Sequence, residues 1–139
     1  MTKKRVLLPI DGRDRSLKAI EFAMELYRPE EVEFHIINVR EDVEDLLSKG
    51  NYFGAVRKGR DYLEDMTRGL KGSGYDVKYW VEFGNPGGEI LQYAKRENID
   101  LIIMTRSTKK GLYKIMGSVA NDIVKKAKCM VLIVPENEN

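Results

Sequence analysis

A single cysteine, Cys129, occurs among the 139 residues, so no disulfide framework can form and a reducing compartment fits the chain. No apolar stretch approaches the ~20 residues of a membrane span. The apolar run after the basic start (residues 1–5) covers only about five residues, short of the ~7–15 of a secretory h-region. A cytoplasmic chain without a membrane partner is expected. Neither sign of charge dominates: 24 Lys and Arg against 22 Asp and Glu leave a net +2. That balance argues against a nucleic-acid partner, whose binders gather a basic excess on one face. One histidine and one cysteine would leave a zinc site to carboxylates, so no metal centre is expected. The chain has no P-loop pattern, no Gly-x-Gly-x-x-Gly after its first apolar run and no Gly-x-Ser-x-Gly elbow. P-loop proteins, dinucleotide Rossmann domains of the usual kind and α/β-hydrolase nucleophiles are thereby set aside. No Ser–His–Asp set or carboxylate pair stands out, and no catalytic residue is assigned.

What is present is an alternation. Apolar, β-branched-rich runs at about residues 5–10, 31–39, 75–83, 100–104 and 130–134 read as strands, with helical patterns between them. Leu17, Ile20, Met24 and Tyr27 recur at helical steps over residues 14–28, with Asp14 as N-cap and Pro29 as the stop. Val56, Leu63, Met66 and Leu70 mark a helix over about 53–71, which Gly72-Ser73-Gly74 ends as a glycine cap would. Asn85-Pro86 opens a third helix, with Ile90, Leu91 and Ala94 inward. A fourth covers about 116–126, with Val119, Ile123 and Ala127 inward. Residues 40–54 give no clear reading. Strands alternating with helices imply βαβ units and a parallel sheet with helices on both faces, in one domain spanning residues 1–139.

In such a sheet, ligands bind beyond the carboxyl ends of strands where the strand order reverses, and the first and fourth strands are the natural pair. The first ends in Asp11-Gly12; the fourth runs into residues 105–118. Asp11 either accepts hydrogen bonds from a ligand or turns the chain and caps the first helix. The stretch from Thr105 to Ser118 carries four Ser and Thr hydroxyls, four basic side chains and two glycines, and it opens the last helix. It is either a phosphate loop at a helix N-terminus or a solvated basic loop with Ser118 as cap. Asn85–Glu89 lies on the same rim and either flanks a ligand or is only a helix start. His35 reads as a hydrogen-bonded or edge histidine, Cys129 as a small core residue and Trp80 as packing. A receiver domain is disfavoured, because the third strand ends in Val81-Glu82-Phe83-Gly84 without the required aspartate.

Several segments together resemble the universal stress protein family over nearly the whole length. Val6-Leu7-Leu8-Pro9-Ile10-Asp11-Gly12 with Ser16-Leu17-Lys18-Ala19 is similar to the family's opening. So are Ile37-Asn38-Val39, Gly84-Asn85-Pro86 with Glu89-Ile90-Leu91, Asp100 to Met104, Gly111-Leu112, Gly117-Ser118-Val119-Ala120 and Cys129 to Val134 at their positions. The resemblance implies an α/β three-layer sandwich of the adenine nucleotide alpha hydrolase-like type, with a five-stranded parallel sheet in the order 3-2-1-4-5. It also implies a homodimer through the Met130–Val134 edge. Nucleotide-binding members wrap a triphosphate with Gly-x-x-Gly, nine residues, then Gly-Ser/Thr. Carried over by position, Asp11 and Val39 meet the adenosine part, with Pro9 and Met104 completing the cleft. Thr105, Thr108, Gly117 and Ser118 take the phosphate-loop positions, and only the last two keep their residue type. Eight residues rather than nine separate Thr108 from Gly117, and β-branched threonine resists the positive φ open to glycine. A family branch without the glycine motif binds no ATP. The implied function is a non-catalytic stress-response protein whose cleft binds ATP or another adenine nucleotide weakly or not at all. The alternative is an ATP-binding switch or slow ATP hydrolase.

Overall fold

Val6, Leu7 and Leu8 are completely buried, which demands cover on both faces of their strand. The computed structural model describes residues 2–10, 16–40, 52–105 and 117–135. Along the chain run β1 (Lys4–Ile10), α1 (Ser16–Leu26), a 3-10 turn (Pro29–Glu31), β2 (Val32–Arg40), α2 (Tyr52–Gly72), β3 (Asp76–Phe83), α3 (Pro86–Arg96), β4 (Leu101–Thr105), α4 (Ser118–Lys126) and β5 (Met130–Val134). The strands form one parallel sheet in the order β3-β2-β1-β4-β5, as the resemblance implied. Side-chain alternation splits the core in two. Val6, Leu8, Phe34, Ile36 and Ile103 pack against α1 and α2, and Leu7, Ile37 and Ile102 against α3 and α4. Two helices therefore cover each face.

Helix ends follow local chemistry. The Asn85 side chain accepts the Gly88 N–H at 3.0 Å, and Pro86 takes the first turn, where its missing N–H costs nothing. Both α2 and α3 end in Schellman motifs. At α2, the Tyr75 N–H donates to the Leu70 carbonyl (3.1 Å) and the Gly74 N–H to that of Lys71 (2.9 Å). At α3 the same roles fall to Ile99 with Ala94 (2.9 Å) and Asn98 with Lys95 (3.4 Å). Gly74 and Asn98 hold the left-handed conformation, at φ 92° and 53°.

Two expectations change. Leu17 is exposed, and the inward face of α1 consists of Ala19, Ile20 and Ala23 with Met24 and Tyr27. At 3.6 residues per turn Leu17 lies roughly a quarter-turn from the centre of that face. The apolar spacing was correct, but the two alanines, which let α1 sit close on the sheet, shift its centre. Trp80 is 49% exposed rather than packed, because β3 ends the sheet and α3 lies more over β2 than over β3. The Asp14 cap and most of residues 40–54 lie outside the described residues. Among those described, no helix is long and apolar enough to cross a membrane.

At Gly74 a Cβ would meet only Pro29 carbons at 3.8 Å, so space is available and the backbone alone objects. Gly74→Ala should therefore cost about 1–2 kcal/mol in urea unfolding, the price of a left-handed non-glycine residue.

Candidate functional site

The reversal of strand order falls between β1 and β4, the predicted pair. Their ladder joins Val6 to Leu101 and Leu7 to Ile102 and goes no further. Pro9 supplies the reason. Backbone groups of successive strand residues point to alternate sides. The Arg5 carbonyl accepts from the Asp100 N–H at 2.8 Å, so odd positions of β1 face β4. The next rung needs a donor at position 9, and proline has none. On its other side β1 stays paired through Ile10 with Asn38, whose side-chain amide donates to the Ile10 carbonyl at 2.9 Å. The strands are thus locked on one side and released on the other at the carboxyl end.

Alternation sorts the rim residues by face. Pro9, Val39 and Met104 belong to three neighbouring strands and share the α3/α4 face, so the structure brings these three together. Thr105 closes β4 on the opposite face, with a buried hydroxyl that has no hydrogen-bond partner among the described residues. Gly117 is the N-cap of α4, at φ −67°, a conformation open to any residue, so its glycine is not demanded by φ. Ser118 is exposed and occupies the first helical position. The expected Ser118 cap is corrected: a residue inside the helix cannot cap it, and Gly117 provides no side-chain oxygen. The first-turn N–H groups of α4 therefore lack a side-chain acceptor at the cap, whereas α3 on the same rim is capped by Asn85 and carries Glu89. Of the two helix starts, α4 is the one suited to an anion. Asp11 and Thr108 lie outside the described residues.

A second polar cluster sits at the opposite end of the sheet. His35 is fully buried; its Nδ1 lies 2.7 Å from the Tyr93 hydroxyl and its Nε2 2.5 Å from Glu33 Oε2. An ionised carboxylate only accepts, so Nε2 carries the proton and Tyr93 donates to Nδ1. Arg5 Nε and Lys78 Nζ lie 3.8 and 3.9 Å from the same Glu33 oxygen, and Arg5 Nη1 donates to the Glu97 carbonyl at 2.7 Å. Burial holds the imidazole below the ordinary histidine pKa, against the raising effect of Glu33. Burial, with Glu97 beside it, pushes the Tyr93 hydroxyl up to about 12. The cluster fixes α3 to the sheet: His35 is closed to solvent and each ring nitrogen is satisfied. Sequence reading missed Tyr93, Glu33 and Asn38. Glu33 and His35 share one strand face at i, i+2, and Asn38 interrupts an apolar run, so both left a signal; Tyr93 left none. Cys129 is half-buried against the second core, and burial raises its thiol pKa.

A model of the universal stress protein family matches residues 3–135. Universal stress protein MJ0531 of Methanocaldococcus jannaschii is 30% identical, over 94% of this chain and 81% of its own length. The structure of protein MJ0577 superposes with a TM-score of 0.85 at 23% identity, covering 100% of both chains. A universal stress protein in complex with cAMP gives 0.65 at 21%, covering 99% of this chain and 100% of that one. A family member from Arabidopsis thaliana with AMP bound gives 0.71 at 21%, covering 96% and 92%.

Because the folded-state pKa of His35 lies below its unfolded value, the unfolded chain takes up the proton first. Stability from this site is complete above about pH 6.5, the unfolded value, and is lost progressively as pH falls from there through the lower folded-state pKa. Urea titrations from about pH 7.5 down to about pH 5 should show that decline. His35→Gln, which takes no proton, should flatten it. Tyr93→Phe, which leaves a buried acceptor unpaired, should cost about 1–3 kcal/mol at neutral pH.

Proposed function

Since the chain belongs to the universal stress protein family, we propose that it is a non-catalytic, cytoplasmic stress-response protein whose β1–β4 crevice binds an adenine nucleotide weakly. The observation that carries this reading is the Thr105 hydroxyl, buried at the mouth of the crevice without a partner among the described residues. A buried unpaired hydroxyl costs free energy, and a ligand oxygen or ring nitrogen would satisfy it. Pro9, Val39 and Met104 offer an apolar wall on the opposite face for the adenosine part, joined by Asp11. The N-terminus of α4 at Gly117 and Ser118, with Thr108 from the preceding stretch of sequence, supplies the phosphate side. Relatives with AMP and with cAMP bound each hold a ligand with one phosphate. With threonine at both first glycine positions of the family motif, the wrap around a triphosphate is weakened, and one phosphate is what the remaining donors match. The protein works as a homodimer through the Met130–Val134 edge, where all five residues are exposed or half-buried and Met130 is 70% exposed. An unprotected edge of this kind favours a partner strand.

The second reading, an ATP-responsive switch, draws on the retained Gly117-Ser118 and the lysines of residues 106–116. Thermal denaturation with AMP, cAMP or Mg-ATP separates the two. A ligand at ~100 times its Kd adds about 2.7 kcal/mol. The expected outcome is stabilisation by millimolar AMP or cAMP, with no further gain from ATP. A larger shift with ATP would favour the switch, and no shift with any of the three would defeat nucleotide binding. Thr105→Val removes the hydroxyl at nearly constant shape. Without ligand it should leave stability unchanged or slightly raised, and it should reduce the nucleotide-induced shift.

A further inference from the structure

Among the described residues nothing pairs with the outer side of β3, the strand at the other end of the sheet, and its sequence is self-complementary. We propose that β3 pairs antiparallel with β3 of a second copy about a twofold axis through Trp80, separately from the β5 edge.

Backbone direction comes first. The Gly84 N–H donates to the Arg40 carbonyl at 2.9 Å, so even positions of β3 face β2. Val77, Tyr79 and Val81 therefore turn their N–H and C=O groups outward, where they have no partner among the described residues. With Trp80 opposite Trp80, Tyr79 and Val81 of the two copies become hydrogen-bonded pairs, and those groups are satisfied. Trp80–Trp80 and Lys78–Glu82 fall on the non-hydrogen-bonded positions, where Cα atoms are ~4.5 Å apart and side chains lie closest.

Side chains agree on both faces. On one, Lys78 of each copy meets Glu82 of the other, flanking an aromatic pair on the axis. Lys78 is mostly exposed, and its ammonium group lies 3.9 Å from Glu33 Oε2, beyond direct hydrogen-bond distance. Glu82 Oε2 accepts the Trp80 indole N–H at 2.7 Å, which leaves its other oxygen for the lysine. On the other face Tyr79 meets Val81, an aromatic with a β-branched residue. Sliding the second copy by four residues sets Lys78 against Lys78 or Glu82 against Glu82. A slide of two sets Asp76 against Glu82, or Glu82 against Trp80. Of these registers only the Trp80-centred one opposes unlike charges. Arg96 lies over the indole, 6.0 Å from its centroid, and helps fix the ring at the edge. A half-exposed tryptophan on an open edge strand is otherwise a site for unspecific pairing.

Trp80 is the sole tryptophan, so intrinsic emission reports this contact directly. As concentration rises, emission should move to shorter wavelength in step with association measured by sedimentation. Lys78→Glu turns both Lys78–Glu82 contacts into repulsions and should weaken that association about tenfold or more. Lys78→Glu combined with Glu82→Lys restores opposite charges across the axis and should recover it. In a Cys129→Ala background, Trp80→Cys should oxidise to a covalent dimer, since the paired positions fall within disulfide reach. Association without a change in Trp80 emission, an emission shift indifferent to Lys78→Glu, failure of the double variant to recover, or failure of the Trp80→Cys cross-link would each overturn the proposal.

Discussion

Burial of β1 on both faces, between a parallel neighbour on each side, is the constraint on which the rest depends. A strand with Val6, Leu7 and Leu8 fully buried must lie inside a sheet and beneath helices on each side. Parallel neighbours on both sides oblige the chain to leave β1 toward β2 and to return beside it as β4. The right-handedness of crossovers then sends the two halves to opposite faces. The reversal of strand order at β1 follows from that geometry. Pro9 makes the reversal usable, because a strand that cannot donate at its last β4-facing position leaves the two strands unjoined at their carboxyl ends.

A parallel sheet gives its two ends different characters, and this one divides its polar chemistry accordingly. At the amino end, polar groups are mutually satisfied. The Arg5 main chain exchanges hydrogen bonds with Asp100, Lys3 pairs with Asp76, and the Glu33–His35–Tyr93 chain ties α3 to the sheet. At the carboxyl end, among the described residues, the Thr105 hydroxyl has no hydrogen-bond partner and the first turn of α4 has no side-chain cap. A closed end holds the layers together, so the open end can remain uncommitted without loosening the fold.

Features that depend on neighbours in sequence were legible. The five strands are short apolar runs, and each was placed within about two residues. Asn85-Pro86 and Gly72-Ser73-Gly74 work as helix start and stop because caps are local hydrogen-bond and φ requirements. The misses share a different cause. Ser118 has the right residue type for a cap, yet helix α4 begins one residue earlier than a Ser118 cap would require. Leu17 has the right spacing, but the centre of the buried face was decided by how closely α1 can approach the sheet. Trp80 read as packing because tryptophan rings are largely buried on average, and its place on the last strand of the sheet leaves it half-exposed. Within the candidate site, the strand ends of Pro9, Met104 and Thr105 were readable from where apolar runs stop. Their division between two faces followed from the register with neighbouring strands.

The amino-acid sequence by itself determined the alternation of strands and helices, the caps, the family likeness and which loops carry polar chemistry. These depend on hydrophobic period, backbone dihedrals and local hydrogen bonding, all set within a few residues. Tertiary structure alone decided that Tyr93 meets His35, that Asn38 holds the end of β1, that the Thr105 hydroxyl is buried without a partner among the described residues, and that β3, the last strand of the sheet, presents a half-exposed Trp80. Each of these joins groups far apart along the chain or depends on which strand lies at the margin. Such meetings are set by how layers pack, and packing is a property of the assembled fold rather than of any one segment.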